Sequence, residues 1–156
     1  MFTLNDLFDI AIKMEENGKA VYLNALAHAG SRDIESLLQW MADEEDRHKS
    51  WFEEQKDNFS ADSSDLGVML PGVIKEMMGD KSLSLTDLNF LEITTPVQML
   101  KTFITFENDT ILFYQFIENF VESESVKAGL HKIIAEEKAH VEKISEMIQS
   151  LETSPK

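Results

Sequence analysis

Apolar side chains recur at intervals of three and four residues along four long segments, which is the spacing of one helix face. The stripe of the second segment is Ile34, Leu38, Met41, Glu45, His48 and Phe52, and that of the fourth is Val126, Leu130, Ile133, Glu137, His140, Ile144 and Met147. Each stripe thus carries a glutamate and a histidine among apolar residues. The pattern predicts amphipathic helices that turn titratable side chains toward the protein interior.

Residues typical of helix ends divide the chain into two helical hairpins. Thr3 and Thr95 each begin a capping sequence, and a proline follows Thr95 at the first helical position. Gly30 is placed to end one helix and Ser31 to begin the next, while Ser123 can cap the fourth long helix. We therefore expect four long helices.

The chain of 156 residues is long enough for one domain with its own core, which we expect to cover residues 1–156. The fold expected is an all-α bundle of two hairpins, over residues 3–56 and 95–150. A long crossover over residues 57–94 joins them, and it is polar apart from a short helix predicted at about residues 66–78.

The second hairpin repeats the first with an offset of 92 residues. The matching pairs are Thr3 and Thr95, Glu15 and Glu107, Tyr22 and Tyr114, Ser31 and Ser123, Glu45 and Glu137, and His48 and His140. Each half therefore carries a glutamate and a tyrosine on its first helix and Glu-x-x-His on its second. In both hairpins the two glutamates lie about 15 and 14 residues from the turn, so antiparallel packing sets them level.

Four glutamates and two histidines should accordingly meet at mid-height in the bundle core. A bare cluster of buried carboxylates is unstable, because desolvation and like-charge repulsion oppose their ionisation. Two divalent cations would neutralise it. Oxygen and imidazole ligands without sulfur suit iron or manganese, with zinc also accepted. The candidate metal ligands are Glu15, Glu45, His48, Glu107, Glu137 and His140.

Composition excludes several other classes of function. The sequence contains no cysteine, which rules out disulfides, zinc–thiolate sites and a thiol nucleophile. A net charge of −15 argues against nucleic acid as a partner, because phosphate contacts need clustered lysine and arginine. No apolar run approaches the length of a membrane span, and the acidic N-terminal segment is unlike a signal peptide. We expect a cytoplasmic protein that binds no membrane.

The repeated glutamate and Glu-x-x-His set on four helices resembles the ferritin-like di-iron carboxylate superfamily. Within it, MEENGKAVY at residues 14–22 and DEEDRH at residues 43–48 resemble the rubrerythrin family most. The resemblance covers both hairpins but not the crossover. It implies a ferritin-like four-helix bundle that holds two iron ions.

The resemblance also implies a role for each residue. Glu45 and Glu137 would bridge the metal ions, Glu15 and His48 would complete one site, and Glu107 and His140 would complete the other. Tyr22 and Tyr114 resemble hydroxyls that hydrogen-bond the ligand carboxylates, although ordinary core tyrosines remain an alternative.

A rubrerythrin-like oxidoreductase would reduce peroxide, or O₂, with electrons from a separate donor protein. This sequence departs from the family in lacking a cysteine-rich rubredoxin domain, and it has Thr110 where many members carry a further glutamate. Two alternatives are open. One is iron oxidation with storage or transfer, although storage cages usually add a fifth helix where this sequence reads LETSPK. The other is a non-redox metal-binding or sensing module.

Several neighbouring residues are interpreted as outside the site. Glu16, Glu44 and Glu136 lie off the apolar stripes and are expected to be solvated. His28 and His131 have no histidine at the matching repeat position and are not expected to bind metal. The third long helix also carries five phenylalanines that face more than one side, namely Phe103, Phe106, Phe113, Phe116 and Phe120. They are expected to pack in the core, with some available for a homodimer interface.

Overall fold

A computed structural model describes residues 3–58 and 95–153 of the chain. These residues contain four α-helices: α1 (Leu4–Ala25), α2 (Arg32–Asn58), α3 (Pro96–Glu118) and α4 (Glu124–Thr153). The expected all-α bundle of two hairpins is confirmed. The short helix predicted in the crossover lies outside the described residues. None of the described helices is both long and apolar enough to cross a bilayer.

Side-chain caps begin α1 and α3 where the sequence predicts them. The Thr3 hydroxyl accepts a hydrogen bond from the backbone N–H of Asp6 at 3.1 Å, and the Asp6 carboxylate accepts one from the Thr3 N–H at 2.9 Å. The Thr95 hydroxyl accepts from the Gln98 N–H at 3.1 Å, and Pro96 is the first residue of α3. These bonds satisfy N–H groups that have no partner within their own helix.

The turn of the first hairpin begins earlier than the glycine predicts. Helix α1 ends at Ala25, and a 3-10 turn at Leu26–His28 precedes Gly30. Gly30 has φ of 79°, a left-handed conformation that costs glycine little because it has no Cβ. The Ser31 hydroxyl then accepts a hydrogen bond from the Ile34 N–H at 3.3 Å, which caps α2.

The hairpins pack α1 against α2 and α3 against α4, and contacts of α1 with α3 and of α2 with α4 join them. One apolar layer contains the start of α1 (Leu7), the end of α2 (Phe52) and the turn of the second hairpin (Val121). The other contains the turn of the first hairpin (Ala29) and the end of α4 (Ile148). Each turn therefore packs beside the end of the other hairpin that is opposite to that hairpin's own turn. The two hairpins are thus inverted relative to each other.

Gly129 permits a close contact between the two hairpins. A Cβ built at Gly129 in α4 would lie only 2.5 Å from Cζ2 of the Trp51 ring in α2. Alanine favours a helix over glycine by about 1 kcal/mol. Gly129→Ala is nevertheless expected to lower the free energy of unfolding by about 1–3 kcal/mol, because the indole has to move. Denaturant unfolding measures this change.

The matched control for Gly129→Ala is the same substitution made in a Trp51→Leu background. Without the indole the clash is relieved, so the alanine should then be neutral or stabilising. A stabilising effect of Gly129→Ala in the unaltered protein would contradict the contact.

Candidate metal centre

Six titratable side chains meet between the two apolar layers, and all six are shielded from solvent. They are the predicted ligands Glu15, Glu45, His48, Glu107, Glu137 and His140, each with an exposed fraction of 0 or 1%. One glutamate comes from α1 and one from α3, while α2 and α4 each supply a glutamate and a histidine one turn apart. The structure thus brings together all six residues that the sequence singles out.

The six side chains form two overlapping groups of four. Within each group, one oxygen or nitrogen atom per residue lies within 4.8 Å of the others. One group is Glu15, Glu45, His48 and Glu137, and the other is Glu45, Glu107, Glu137 and His140. Glu45 and Glu137 belong to both groups, which is the arrangement needed for carboxylates that bridge two metal ions.

Both histidines direct the same ring nitrogen into the cluster. Nδ1 of His48 lies 2.8 Å from Oε1 of Glu137 and 3.5 Å from Oε1 of Glu15. Nδ1 of His140 lies 3.2 Å from Oε2 of Glu137 and 3.5 Å from Oε2 of Glu107. Nδ1 is therefore the nitrogen available to a metal ion, and Nε2 points away from the cluster.

Two buried tyrosines hold carboxylates of the opposite hairpin. The Tyr22 hydroxyl donates a hydrogen bond to Oε1 of Glu107, and the Tyr114 hydroxyl donates one to Oε1 of Glu15 at 2.5 Å. Both rings are also part of the apolar layers, so they serve as core residues as well. The hydrogen bonds orient Glu15 and Glu107 toward the middle of the bundle.

The hydrogen bonding of the cluster is incomplete in a way that fits a metal ion. Four glutamates each have a buried carboxylate oxygen without a hydrogen-bond partner, namely Glu15, Glu45, Glu107 and Glu137. Nδ1 of His140 is also buried without a hydrogen bond of acceptable geometry. Unpartnered polar atoms of this kind are costly in a protein interior. A divalent cation would satisfy these oxygens and this nitrogen together, and carboxylate with imidazole is a ligand set that iron, manganese and zinc accept.

Burial has the largest effect on the carboxyl groups, because it disfavours their charged form. Burial and the nearby Glu137 raise the pKa of Glu45 well above its ordinary value and that of Glu107 to about 8. Burial also acts to raise the pKa of Glu15 and Glu137. Hydrogen bonds from neighbouring side chains, His48 among them, outweigh it, so that both of these pKa values are lowered.

The two imidazoles have elevated pKa values. Burial by itself lowers the pKa of His48, but Glu15 and Glu137 outweigh it and raise that pKa to about 11. Burial likewise opposes the charged form of His140, yet Glu107 and Glu137 raise its pKa to about 10. These shifts favour the protonated forms of Glu45, Glu107 and both histidines and the ionised forms of Glu15 and Glu137.

Metal binding is expected to displace the protons of Glu45, Glu107 and both histidines, about four for two divalent ions. Each proton released makes binding weaker as the pH falls. Below a pH of about 8, the pKa of Glu107, the affinity for the ion held by Glu107 and His140 should drop roughly 100-fold per pH unit. Calorimetric titration with Zn²⁺ in buffers of different ionisation enthalpy counts the protons. A heat of binding independent of the buffer would contradict these protonation states.

Two glutamates that were expected to be solvated are instead half-buried beside the histidines. The side chains of Glu44 and Glu136 are only 16% and 21% exposed, and Arg47 contacts both of them. The prediction that they are solvated is wrong, because it considered each helix alone and not the neighbouring hairpin. Glu44 and Glu136 are matching positions of the repeat, each beside a shared glutamate, but this match does not by itself show that Arg47 contacts both of them.

The other residues interpreted as outside the site do lie outside it. Glu16 is exposed while its neighbour Glu15 is buried, as the phase of the stripe predicts. His28 and His131 are exposed, and His131 pairs with Glu118 at 2.5 Å. Thr110, which stands where many members of the family carry a further glutamate, is buried, and its hydroxyl donates to the backbone carbonyl of Phe106 at 3.0 Å.

Most of the phenylalanines of α3 pack inside the bundle. Phe103, Phe106 and Phe113 are buried, while Phe116 and Phe120 are partly buried against one of the apolar layers. Core packing is therefore the observed role of this group, and a homodimer interface on α3 stays a prediction.

Comparisons with known proteins agree with this geometry. A family model described as Rubrerythrin matches residues 6–89. A crystal structure from Thermotoga maritima, described provisionally as a ferritin-like diiron-carboxylate protein, is similar with a TM-score of 0.69 and 25% sequence identity. The similarity covers 95% of each chain. Among curated proteins, none matches the chain.

Proposed function

Because the chain belongs to the rubrerythrin family, we propose that its buried cluster holds two iron ions and that the protein reduces peroxide. The electrons would come from a separate donor protein. This proposal also draws on the similar protein from Thermotoga maritima, whose description names a diiron-carboxylate centre. The ligand set accepts manganese and zinc as well, so iron is the choice that the family favours.

The observation that carries the proposal is the pair of overlapping groups that share Glu45 and Glu137. Each metal ion would receive both shared carboxylates, one carboxylate of its own and one imidazole. Glu15 and His48 would serve one ion, while Glu107 and His140 would serve the other. Four carboxylates balance the charge of two divalent cations, which removes the electrostatic cost of burying these groups.

The protein contributes positioning and the exclusion of water. Tyr22 and Tyr114 hold Glu107 and Glu15 in place through hydrogen bonds, and the apolar layers on either side keep bulk solvent from the cluster. Bound ferrous iron would supply the two electrons needed to reduce one peroxide molecule, with two protons, to two molecules of water. Because this sequence contains no cysteine, the proposal assigns the return of two electrons to a separate donor.

The proposal is tested by stopped-flow oxidation of the anaerobically reduced, iron-loaded protein. Peroxide should oxidise it rapidly and O₂ slowly, as followed by the visible absorption of the oxidised iron. The Glu45→Ala and Glu137→Ala double variant, treated identically, is the control for iron bound elsewhere. No reaction with peroxide would overturn the proposal, and a faster reaction with O₂ would favour iron oxidation as the function instead.

A further inference from the structure

Outside the metal cluster, three charged side chains join the two hairpins. Nε of Arg47 donates a hydrogen bond to Oε2 of Glu44 at 3.1 Å, and Nη2 donates to Oε2 of both Glu44 and Glu136. Arg47 and Glu44 belong to α2 in the first hairpin, whereas Glu136 belongs to α4 in the second. We call these three residues the outer clasp.

The outer clasp adjoins the two histidines on the side away from the metal cluster. Oε1 of Glu136 lies 3.8 Å from Nε2 of His48, and Oε1 of Glu44 lies 4.0 Å from Nε2 of His140. Both Nε2 atoms are buried without a hydrogen-bond partner, as is Oε1 of Glu136. Each carboxylate thus gives one oxygen to Arg47 and directs the other toward a histidine.

Metal binding at Nδ1 would explain why a carboxylate lies beside each Nε2 atom. A neutral imidazole that binds metal through Nδ1 carries its proton on Nε2, and ligand histidines almost always donate that proton to an acceptor. The distances of 3.8 and 4.0 Å are longer than a hydrogen bond. A shift of about 1 Å by the carboxylate or by the ring would bring each pair of atoms within hydrogen-bond distance.

The clasp breaks the symmetry of the sequence repeat. Glu44 corresponds to Glu136, and His48 corresponds to His140, but the position that matches Arg47 is Ala139. One guanidinium therefore serves both halves of the centre. Its planar fork of donors suits simultaneous contact with two carboxylates, which the single ammonium of a lysine does not reproduce.

We propose that Arg47 is a positioning residue for both ligand histidines, because it orients Glu44 and Glu136 to accept the Nε2 protons. The inference rests on the proposed dinuclear centre and deepens it. Arg47 is 49% exposed, and ion pairs at such positions contribute little to stability. The effect of Arg47 should therefore be seen in metal affinity more than in the stability of the metal-free fold.

The two glutamates of the outer clasp, together with His48, raise the question of a third cation site. Ligand atoms of Glu44, His48 and Glu136 lie within 4.8 Å of one another, the spacing of a metal-binding group. Arg47 already contacts an oxygen of each glutamate, and its positive charge would repel a cation placed there. The outer clasp is therefore favoured, and the number of metal ions bound distinguishes the two possibilities.

The test is an anaerobic titration of the metal-free full chain with Co²⁺, a spectroscopic probe whose binding does not depend on catalytic turnover. Arg47→Gln is expected to weaken both binding events by about 10–100-fold, the usual effect of losing a group that orients a metal ligand. Glu44→Gln should weaken mainly the ion on His140, and Glu136→Gln mainly the ion on His48. Arg47→Lys should restore affinity only in part.

The matched control is Lys49→Gln. Lys49 lies two residues after Arg47 in α2 and forms a surface ion pair with Glu16, so this variant also removes one positive charge. It should leave both Co²⁺ affinities unchanged. If Arg47→Gln does not fold, the two single-site effects of Glu44→Gln and Glu136→Gln decide the question in its place.

Three results would overturn the inference. Unchanged binding of two Co²⁺ ions by Arg47→Gln would overturn the role of the clasp but leave the dinuclear centre supported. If Arg47→Gln does not fold, unchanged binding by both Glu44→Gln and Glu136→Gln would have the same meaning. No Co²⁺ binding by the unaltered protein would overturn the proposed centre and the clasp together. A third ion that is bound by the unaltered protein and lost in Glu44→Gln would assign these residues to cation binding.

Discussion

Replacing Glu45 and Glu137 together by alanine is expected to remove both metal ions. Each of these carboxylates belongs to both four-residue groups, so the double variant leaves only one carboxylate and one imidazole for each ion. Losing a single outer partner of a metal ligand already costs 10–100-fold in affinity. Losing two direct ligands from each site should therefore cost on the order of 1000-fold or more.

The measurement is the metal content of protein exposed to excess metal and then dialysed. The control is a Glu16→Ala and Glu142→Ala double variant. It also removes two glutamates, but from exposed positions on α1 and α4. It should keep both ions. Two ions retained by the Glu45→Ala and Glu137→Ala variant would show that the metal binds elsewhere.

Removing the metal is expected to lower the melting temperature by roughly 10–20 °C. A ligand at 100 times its dissociation constant stabilises the folded state by about 2.7 kcal/mol per site, or about 5 kcal/mol for two sites. For a domain of this size, 1 kcal/mol corresponds to roughly 2–4 °C. Saturating metal should add this stability because the unfolded chain does not hold the six ligands together.

Thermal unfolding followed by circular dichroism, with metal and with a chelator, measures the difference. The Glu45→Ala and Glu137→Ala variant is the control here, since its melting temperature should be the same in both conditions. An equal melting temperature for the unaltered protein with and without metal would contradict a cluster that binds metal ions in the folded state.

The candidate site could be predicted from sequence because each of its members occupies a defined helical phase. Glu15 and Glu16 are chemically alike, yet only Glu15 is in phase with the apolar stripe, and only Glu15 is buried. The 92-residue repeat then identifies Glu107 as its counterpart, and Glu107 is also buried. Local capping likewise predicted the starts of α1 and α3, because the bonds join residues only three positions apart.

Features that depend on the neighbouring hairpin were not predictable in the same way. Glu44 and Glu136 lie off the stripes of their own helices, and the contact with Arg47 becomes visible only when α2 and α4 are packed together. The early end of α1 at Ala25 is a further example, since the glycine at position 30 suggested a longer helix. Gly30 was predicted to lie at the end of the helix, but the 3-10 turn at Leu26–His28 before it was not predicted.

The sequence by itself determined which side chains face inward, because helical periodicity reports the buried face of each helix independently of its neighbours. It also determined the matched heights of the glutamates, because the rise per residue is constant. Only the tertiary structure decided which side chains meet across hairpins. Tyr22 bonds to Glu107 and Tyr114 to Glu15, each across the bundle, because the rotation and offset between hairpins are set by packing of side chains distant in sequence.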